Sequence, residues 1–392
     1  MMLLEHDAKN LLAHAGVPVP DGVWAAGDAP PPALPASLRD GPWVVKAQIP
    51  AGGRCKAGGI RVARDVAELA SMVGSLGRGT LKGFPVQGCR IEATIRDARE
   101  IYFALMVDAG RAAVQILYAA DGGVEIEHNH DLMRRAAAPD AASVRAELDA
   151  LIATQPAAFP EPVRPVLHRL VETFFAREAT LLEINPLFLT QDGKVFAGDC
   201  KWVCDSNSFE RQPEVAAVVR DHPERYPEAA CKLHNGFDYV VLDSTGDIAL
   251  LTSGAGLAMK LIDELALCGG RPYNFLDLRG GQMKGDPKRL VQVFEWFAAA
   301  PSVRVILMNL FAGLSNMADF ARLFLIAKAQ VPQLRVPFVA RLDGLFATEA
   351  RAVFETDPDI VFEPDLDQAI ARAIAIARAG GNPATPGAHH GA

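Results

Sequence analysis

Leu182-Glu183-Ile184-Asn185-Pro186-Leu187, followed after a turn by Ala197-Gly198-Asp199-Cys200-Lys201, is the stretch that decides how the first half of this chain folds. Two apolar runs, 181–189 and 195–200, flank Gln191-Asp192-Gly193 and predict a β-hairpin. Side chains alternate along a strand, so Glu183 and Asn185 share a face. Two registers compete. A two-residue Asp192-Gly193 turn, the usual reading of Asp-Gly, sets Asn185 opposite Cys200 and sends Asp199 to the other face. An odd-membered loop centred on Asp192, with Gly193 as the left-handed residue of a bulge, sets Asn185 opposite Asp199. In that register a carboxylate and an amide oxygen stand side by side. Such a pair suits Mg²⁺, which takes few protein oxygens and keeps waters and phosphates for the rest. Taken alone, a buried Asn serving backbone groups and an exposed Asp near a turn is the simpler account of the same residues.

Upstream, Trp43-Val44-Val45-Lys46-Ala47-Gln48 predicts a buried strand running into Ile49-Pro50-Ala51-Gly52-Gly53-Arg54-Cys55-Lys56-Ala57-Gly58-Gly59. Glycines interleaved with cations make a loop whose backbone N–H groups can approach phosphate oxygens. It is no Walker A loop, since G-x-x-x-x-G-K-[ST] is absent. A glycine-rich hairpin with solvated cations fits the pattern as well.

Around these two segments, Leu3, Leu4, Ala8, Leu11, Leu12 and Ala15 predict an amphipathic helix closed by Gly16, and Val163 to Phe175 predict another. Apolar runs around Asp108-Ala109-Gly110 predict a second hairpin, within 101–118. From about Asp238 the pattern changes. Strands at 247–252, 303–310, 336–341 and 359–362, with a weaker one at 273–278, alternate with helices at 256–267, 287–299, 316–329 and 366–378. That alternation predicts a parallel sheet with helices on both faces. The domains expected are 1–225 and 238–379, joined through a polar connection within 221–237, with 380–392 a disordered tail. In this second half, Ser253-Gly254-Ala255-Gly256 and Ala312-Gly313-Leu314-Ser315 each follow a strand and open a helix, where anions can bind; glycines that merely turn the chain are the plainer reading.

The chain has 392 residues, half of them apolar, and a net charge of -8. Its length implies more than one core, and its charge argues against nucleic acid as a partner. No apolar run approaches the ~20 residues of a membrane span, and the start lacks a signal peptide's basic and apolar regions. The cysteines at 55, 89, 200, 204, 231 and 268 form no C-x-x-C or zinc spacing, which predicts reduced thiols and a cytoplasmic location.

Together these runs resemble the ATP-grasp β subunits of the succinate–CoA and malate–CoA ligase family. That family carries A-G-G-R-G-K-A-G-G, E-I-N-P-L, L-D-x-K and G-A-G-L-A-M in order. Here the matching runs are Ala51–Gly59, Glu183–Leu187, Gly198–Lys201 and Gly254–Met259. Further matches are Glu5, Ala8 and Lys9, Gly122–Glu127, Arg211-Gln212-Pro213 and Asn274–Asp277. The resemblance implies an N-terminal ATP-grasp domain followed by a flavodoxin-like parallel α/β CoA-ligase domain. It implies that Lys46 holds the phosphates of ATP, covered by the backbone of Gly53, Arg54 and Cys55, with Glu92 and Glu100 on the adenine and ribose side. Asn185 and Asp199 would bind Mg²⁺, and Glu183 would orient a phosphorylated histidine. That histidine, and the CoA site, would belong to a partner α subunit. Ser253, Gly313, Leu314 and Ser315 would face the small carboxylic acid.

The match breaks in four places. Cys55 replaces a glycine, which predicts lost backbone freedom at the phosphate loop, and Ser253 replaces an asparagine. Leu278-Arg279-Gly280-Gly281 adds a cation, and Asn316 stands where the family has an arginine. The nucleotide half is kept better than the acyl half, so the chemistry is expected to be retained while the acid, a small di-acid such as succinate, malate or a relative, need not be succinate. Two other readings share the first half: an ATP-grasp carboxylate–amine ligase, and a catalytically weakened nucleotide-binding subunit.

Overall fold

The computed structural model describes residues 1–27, 29, 31–123, 131–279, 285–313 and 315–380. The chain divides into two compact units, Met1–Arg225 and Tyr226–Ala392. The expected tail from 381 onward, Leu314, the 280–283 loop and the 124–127 motif lie outside the described residues.

In the first unit, a four-stranded antiparallel sheet runs in the order Gly22–Ala25, Cys89–Ala93, Trp43–Ala47, Ile60–Ala63. Period-two alternation sorts its faces: Trp43, Val45, Ala47, Cys89 and Ile91 enter one core, which leaves Val44, Lys46, Arg90 and Glu92 on the opposite face. The second sheet is built around the long strand Ala179–Thr190, which pairs with Ala98–Asp108 on one side. On its other side lie Val195–Ala197 and Lys201–Cys204.

The hairpin takes the register that its Asp-Gly signal disfavours. Leu187 pairs with Ala197 and Glu183 with Lys201, so Asn185 falls opposite Asp199. The loop is Gln191-Asp192-Gly193: Thr190 N–H donates to Lys194 O (2.9 Å), and Gly193 adopts φ +79°. The Thr190 hydroxyl also donates to Lys194 O (3.0 Å) and accepts from Lys194 N–H (3.0 Å), which ties the wider loop at its base. Asp192 pairs with Lys194 (2.7 Å) at the exposed tip of this loop. The predicted single strand over 195–200 is a correction: strand pairing stops at Ala197 and resumes at Lys201. Pro186, opposite Gly198, has no N–H to give the ladder.

In the second unit, Ile248–Thr252, Val305–Ala312, Phe338–Gly344 and Ile360–Phe362 form a parallel sheet in that order. Alternation again divides the side chains. Ala249, Leu251, Ile306, Met308 and Ala340 pack with the helices Lys288–Ala298 and Met317–Gln330. Ile248, Leu250, Val305, Leu307 and Val339 pack with Ala255–Leu267 and Leu366–Arg378. The weak strand, Asn274–Asp277, pairs antiparallel with Asp238–Val241 rather than joining the parallel ladder. It still flanks Ile248–Thr252 through a side chain: Asn274 Oδ1 accepts from Leu250 N–H (2.8 Å) and Asn274 Nδ2 donates to Leu250 O (3.0 Å). An amide thus substitutes for a backbone pair, and Asn274 is fully buried as a result. Counting that strand, the spatial order is 2-1-3-4-5, the flavodoxin-like arrangement. The 221–237 stretch is not the expected polar connection throughout, since Pro227–Asn235 is helical and capped by left-handed Gly236.

Candidate functional site

Lys46, Gly53, Arg54, Cys55, Glu92, Glu100, Glu183, Asn185 and Asp199 line one cavity of the first unit, about 710 Å³ in volume. That volume lies in the range that encloses small-molecule ligands, roughly 300–1,000 Å³. The glycine-rich segment closes over it as a loop between adjacent strands. Ala47 N–H donates to Gly59 O and Gly59 N–H to Arg54 O, both 2.8 Å. Gly53 has φ +72°, a conformation that a side chain would strain. Cys55 is not among the positive-φ residues, so the expected loss of backbone freedom there is corrected: an ordinary side chain fits. Lys82 Nζ donates to Gly52 O (2.8 Å), a tether for which the sequence carries no motif.

Beneath the loop sits a buried charge network that sequence reasoning missed. Lys46 Nζ lies 2.9 Å from Glu5 Oε1 and 2.8 Å from Glu92 Oε2. Lys9 Nζ lies 3.0 Å from Glu5 Oε1 and 2.6 Å from Glu92 Oε1, and Arg90 Nε also donates to Glu92. Lys9 and Lys46 both donate to Gly198 O, the carbonyl that the interrupted ladder releases. Glu5, Lys9, Arg90 and Glu92 are each no more than 3% exposed. Burial by itself would depress Lys46, but Glu5 and Glu92 outweigh it and hold the ammonium well above its usual range. Burial likewise works to raise Glu5, yet Arg54, Lys46 and Lys9 hold its carboxyl well below the usual carboxylate range. The cavity floor therefore stays charged, and Glu92, with both oxygens engaged by cations, is first a member of this network.

His6 adjoins the network. Burial, and then the neighbouring Arg90 cation, push its imidazole down to about 4. Its Nδ1 faces Arg90 Nη1 at 3.0 Å; arginine can only donate, so the ring accepts there and is neutral. Because the folded value lies below the unfolded 6.5, the stability from neutral His6 is complete above pH 6.5 and is lost as pH falls towards 4. Thermal midpoints should fall across that window, and its upper part, from pH 6.5 to about 5, lies above the range where ordinary carboxylates titrate. His6→Asn should flatten the decline, and an unchanged slope in that variant would remove His6 as its source.

Asn185 and Asp199, opposite each other in the hairpin register, both line the cavity. Asn185 Oδ1 accepts from Gly123 N–H (3.2 Å), while its Nδ2 donates to Gly123 O (3.0 Å), which fixes the amide. Asp199 Oδ1 accepts from Arg54 Nη2 and from Cys200 N–H, both 2.7 Å. Asp199 is 27% exposed, so its carboxylate remains reachable from the cavity. Among the described residues no cluster of three or more His, Cys, Asp or Glu could hold a metal by itself. One carboxylate and one oriented amide oxygen do fit Mg²⁺, which uses few protein ligands when phosphates and waters supply the rest.

In the second unit, Ser253, Gly313 and Ser315 stand at the carboxyl ends of directly paired strands, where Thr252 is opposite Asn309. In a 2-1-3-4-5 sheet this is the topological switch point, at which ligands bind. Leu314, the remaining residue expected on the acid side, lies outside the described residues. The extra cation of the 278–281 run is paired, since Arg279 Nη2 donates to Asp238 Oδ2 (2.8 Å). Asn316 serves as an N-cap, accepting from Ala318 N–H (2.9 Å) and Asp319 N–H (3.2 Å).

An antiparallel nucleotide-sized cleft followed by a switch-point α/β unit defines an ATP-grasp chain joined to a CoA-ligase domain. Family models agree: the ATP-grasp domain matches residues 2–189 and CoA-ligase residues 251–356. The succinate–CoA ligase (ADP-forming) subunit beta of Chloroflexus aggregans is 33% identical over 386 residues, spanning 96% of this chain and 99% of that protein. Proteins of the same name from Aquifex aeolicus and Paraburkholderia xenovorans are 32% and 34% identical, with the same coverage. The chain belongs to the family of succinate–CoA ligase β subunits. ATP citrate lyase from Methanothrix soehngenii, solved with citrate and coenzyme A, shares the fold at TM-score 0.72 and 14% identity, covering 95% of this chain and 99% of that one. Among the described residues no helix is long and apolar enough to cross a membrane.

Proposed function

We propose that this chain is the nucleotide-binding subunit of an ADP-forming carboxylate–CoA ligase and works with an α subunit that carries a phosphorylated histidine and the CoA site. The observation that carries this reading is the convergence of Lys46, the Gly53–Cys55 backbone, Asn185 and Asp199 on one cavity. Lys46 and the loop N–H groups bind the phosphates of ATP, with Glu92 and Glu100 towards the nucleoside. Asn185 and Asp199 hold Mg²⁺, which when bound neutralises charge on the transferring phosphoryl group. Glu183, on the same strand face as Asn185, orients the partner's histidine. The phosphoryl group then passes to a small acid, succinate, malate or a relative, received by Ser253, Gly313, Leu314 and Ser315. Attack by the CoA thiol on the acyl phosphate forms the thioester and releases phosphate. The CoA-ligase match over 251–356 favours this over a carboxylate–amine ligase. The relaxed backbone at Cys55 weakens the case for an impaired subunit.

The single chain should bind Mg·ATP and make no acyl-CoA, because the histidine and CoA site lie elsewhere. Adding the α subunit, CoA and a panel of small acids should yield acid-dependent ADP. CoA- and acid-dependent ADP release from the purified chain by itself would sink the proposal.

A further inference from the structure

Within the glycine-rich loop one side chain turns inward. Gly53 and residues 55–58 are exposed, but Arg54 between them is 6% exposed. Its Nη1 donates to Ala47 O (3.1 Å), at the end of the strand that bears Lys46. Its Nη2 lies 2.7 Å from Asp199 Oδ1 and 2.7 Å from Glu5 Oε2. The two contacts are unequal. Towards Asp199 the geometry is that of an aligned hydrogen bond, whereas at buried Glu5 Oε2 the same nitrogen, equally near, is poorly aligned as a donor. A buried carboxylate oxygen without an aligned donor is costly, and a guanidinium that leaves Asp199 can turn to satisfy it.

We propose that Arg54 is the resident counter-ion of Asp199, and that it yields this carboxylate to an incoming divalent cation by turning onto Glu5. Arg54 is then a positioning residue. In the metal-free chain it latches the loop to the hairpin through Asp199; with the cation in place that latch is released and the loop over the cavity loosens. The inference rests on Asp199 as a metal ligand, and its test separates the two.

The full chain is titrated with Mn²⁺ alone, followed by electron paramagnetic resonance, and loop opening is read by tryptic cleavage after Lys56, an exposed residue. Mn²⁺ should accelerate that cleavage in the unmodified chain. In Asp199→Asn, cleavage should be fast from the start and insensitive to Mn²⁺. Arg54→Met should bind Mn²⁺ on the order of tenfold more tightly, because no cation must be displaced, a factor equal to about 1.4 kcal/mol. Arg54→Lys, which keeps the charge but lacks the second nitrogen that holds Ala47 O, should fall between, and it serves if Arg54→Met fails to fold. Unchanged cleavage in the unmodified chain while Mn²⁺ binds would overturn the latch and leave the metal assignment standing. Equal or weaker Mn²⁺ binding by both Arg54 variants would do the same. If the unmodified chain takes no Mn²⁺ even with nucleotide, the metal assignment fails and the latch falls with it.

Discussion

Asp199→Asn should abolish phosphorylation of the partner's histidine while the chain remains folded. The substitution removes the one carboxylate of the proposed two-residue cation site and changes almost no volume. Charge neutralisation by a metal on a transferring phosphoryl group is worth several kcal/mol, so the rate should fall roughly 10³-fold. The fold should survive because Asp199 lies at the rim of the network, 27% exposed, and its partner Arg54 keeps Glu5 beside it. Single-turnover phosphorylation with radiolabelled ATP at limiting Mg²⁺ measures the loss. A variant that transfers phosphate at a comparable rate would show that the cation is held elsewhere.

The second large effect is expected in stability. Glu92→Gln keeps the shape of the side chain but removes the charge facing Lys9, Lys46 and Arg90, all buried. Breaking a buried ion pair on one side costs about 3–5 kcal/mol, because the partner charge remains out of water. For a unit of this size that is a fall of roughly 10 °C in the thermal midpoint. The outcome also decides what Glu92 does. A variant with an unshifted midpoint and weakened nucleotide binding would make Glu92 a ligand-facing residue and not a keystone of the network.

The two halves of the chain were legible to different depths. Lys46 on the cavity face follows from the alternation of Trp43, Val45 and Ala47 into a core. The parallel unit follows from strand–helix spacing, and its core faces follow from parity along each strand. The hairpin register was open, because Asp192-Gly193 favours the tight turn locally. What settles it is non-local: a long strand paired on its other side with Ala98–Asp108, and a ladder that breaks opposite Pro186. Glu5 and Lys9 were hidden for another reason. A Glu–Lys pair four residues apart on a helix is usually a solvated surface pair. Here strands remote in sequence bring Lys46, Glu92 and Gly198 onto it, and nothing within the helix announces that.

By itself, then, the sequence determined the strand–helix alternation of the second unit, the faces that its strands' side chains take, and the family to which the chain belongs. Those properties depend on period, turn chemistry and short runs of residues, which are local in the chain. Only the tertiary structure decided that Asn185 faces Asp199, that Asn274 stands in for a strand partner, and that Arg54 turns inward to two carboxylates. Each of these depends on which backbone groups are left unpaired, and which charges are left without water, once segments as remote as Glu5 and Asp199, 194 residues apart, have packed together. A buried donor, acceptor or charge must find a partner wherever the fold offers one.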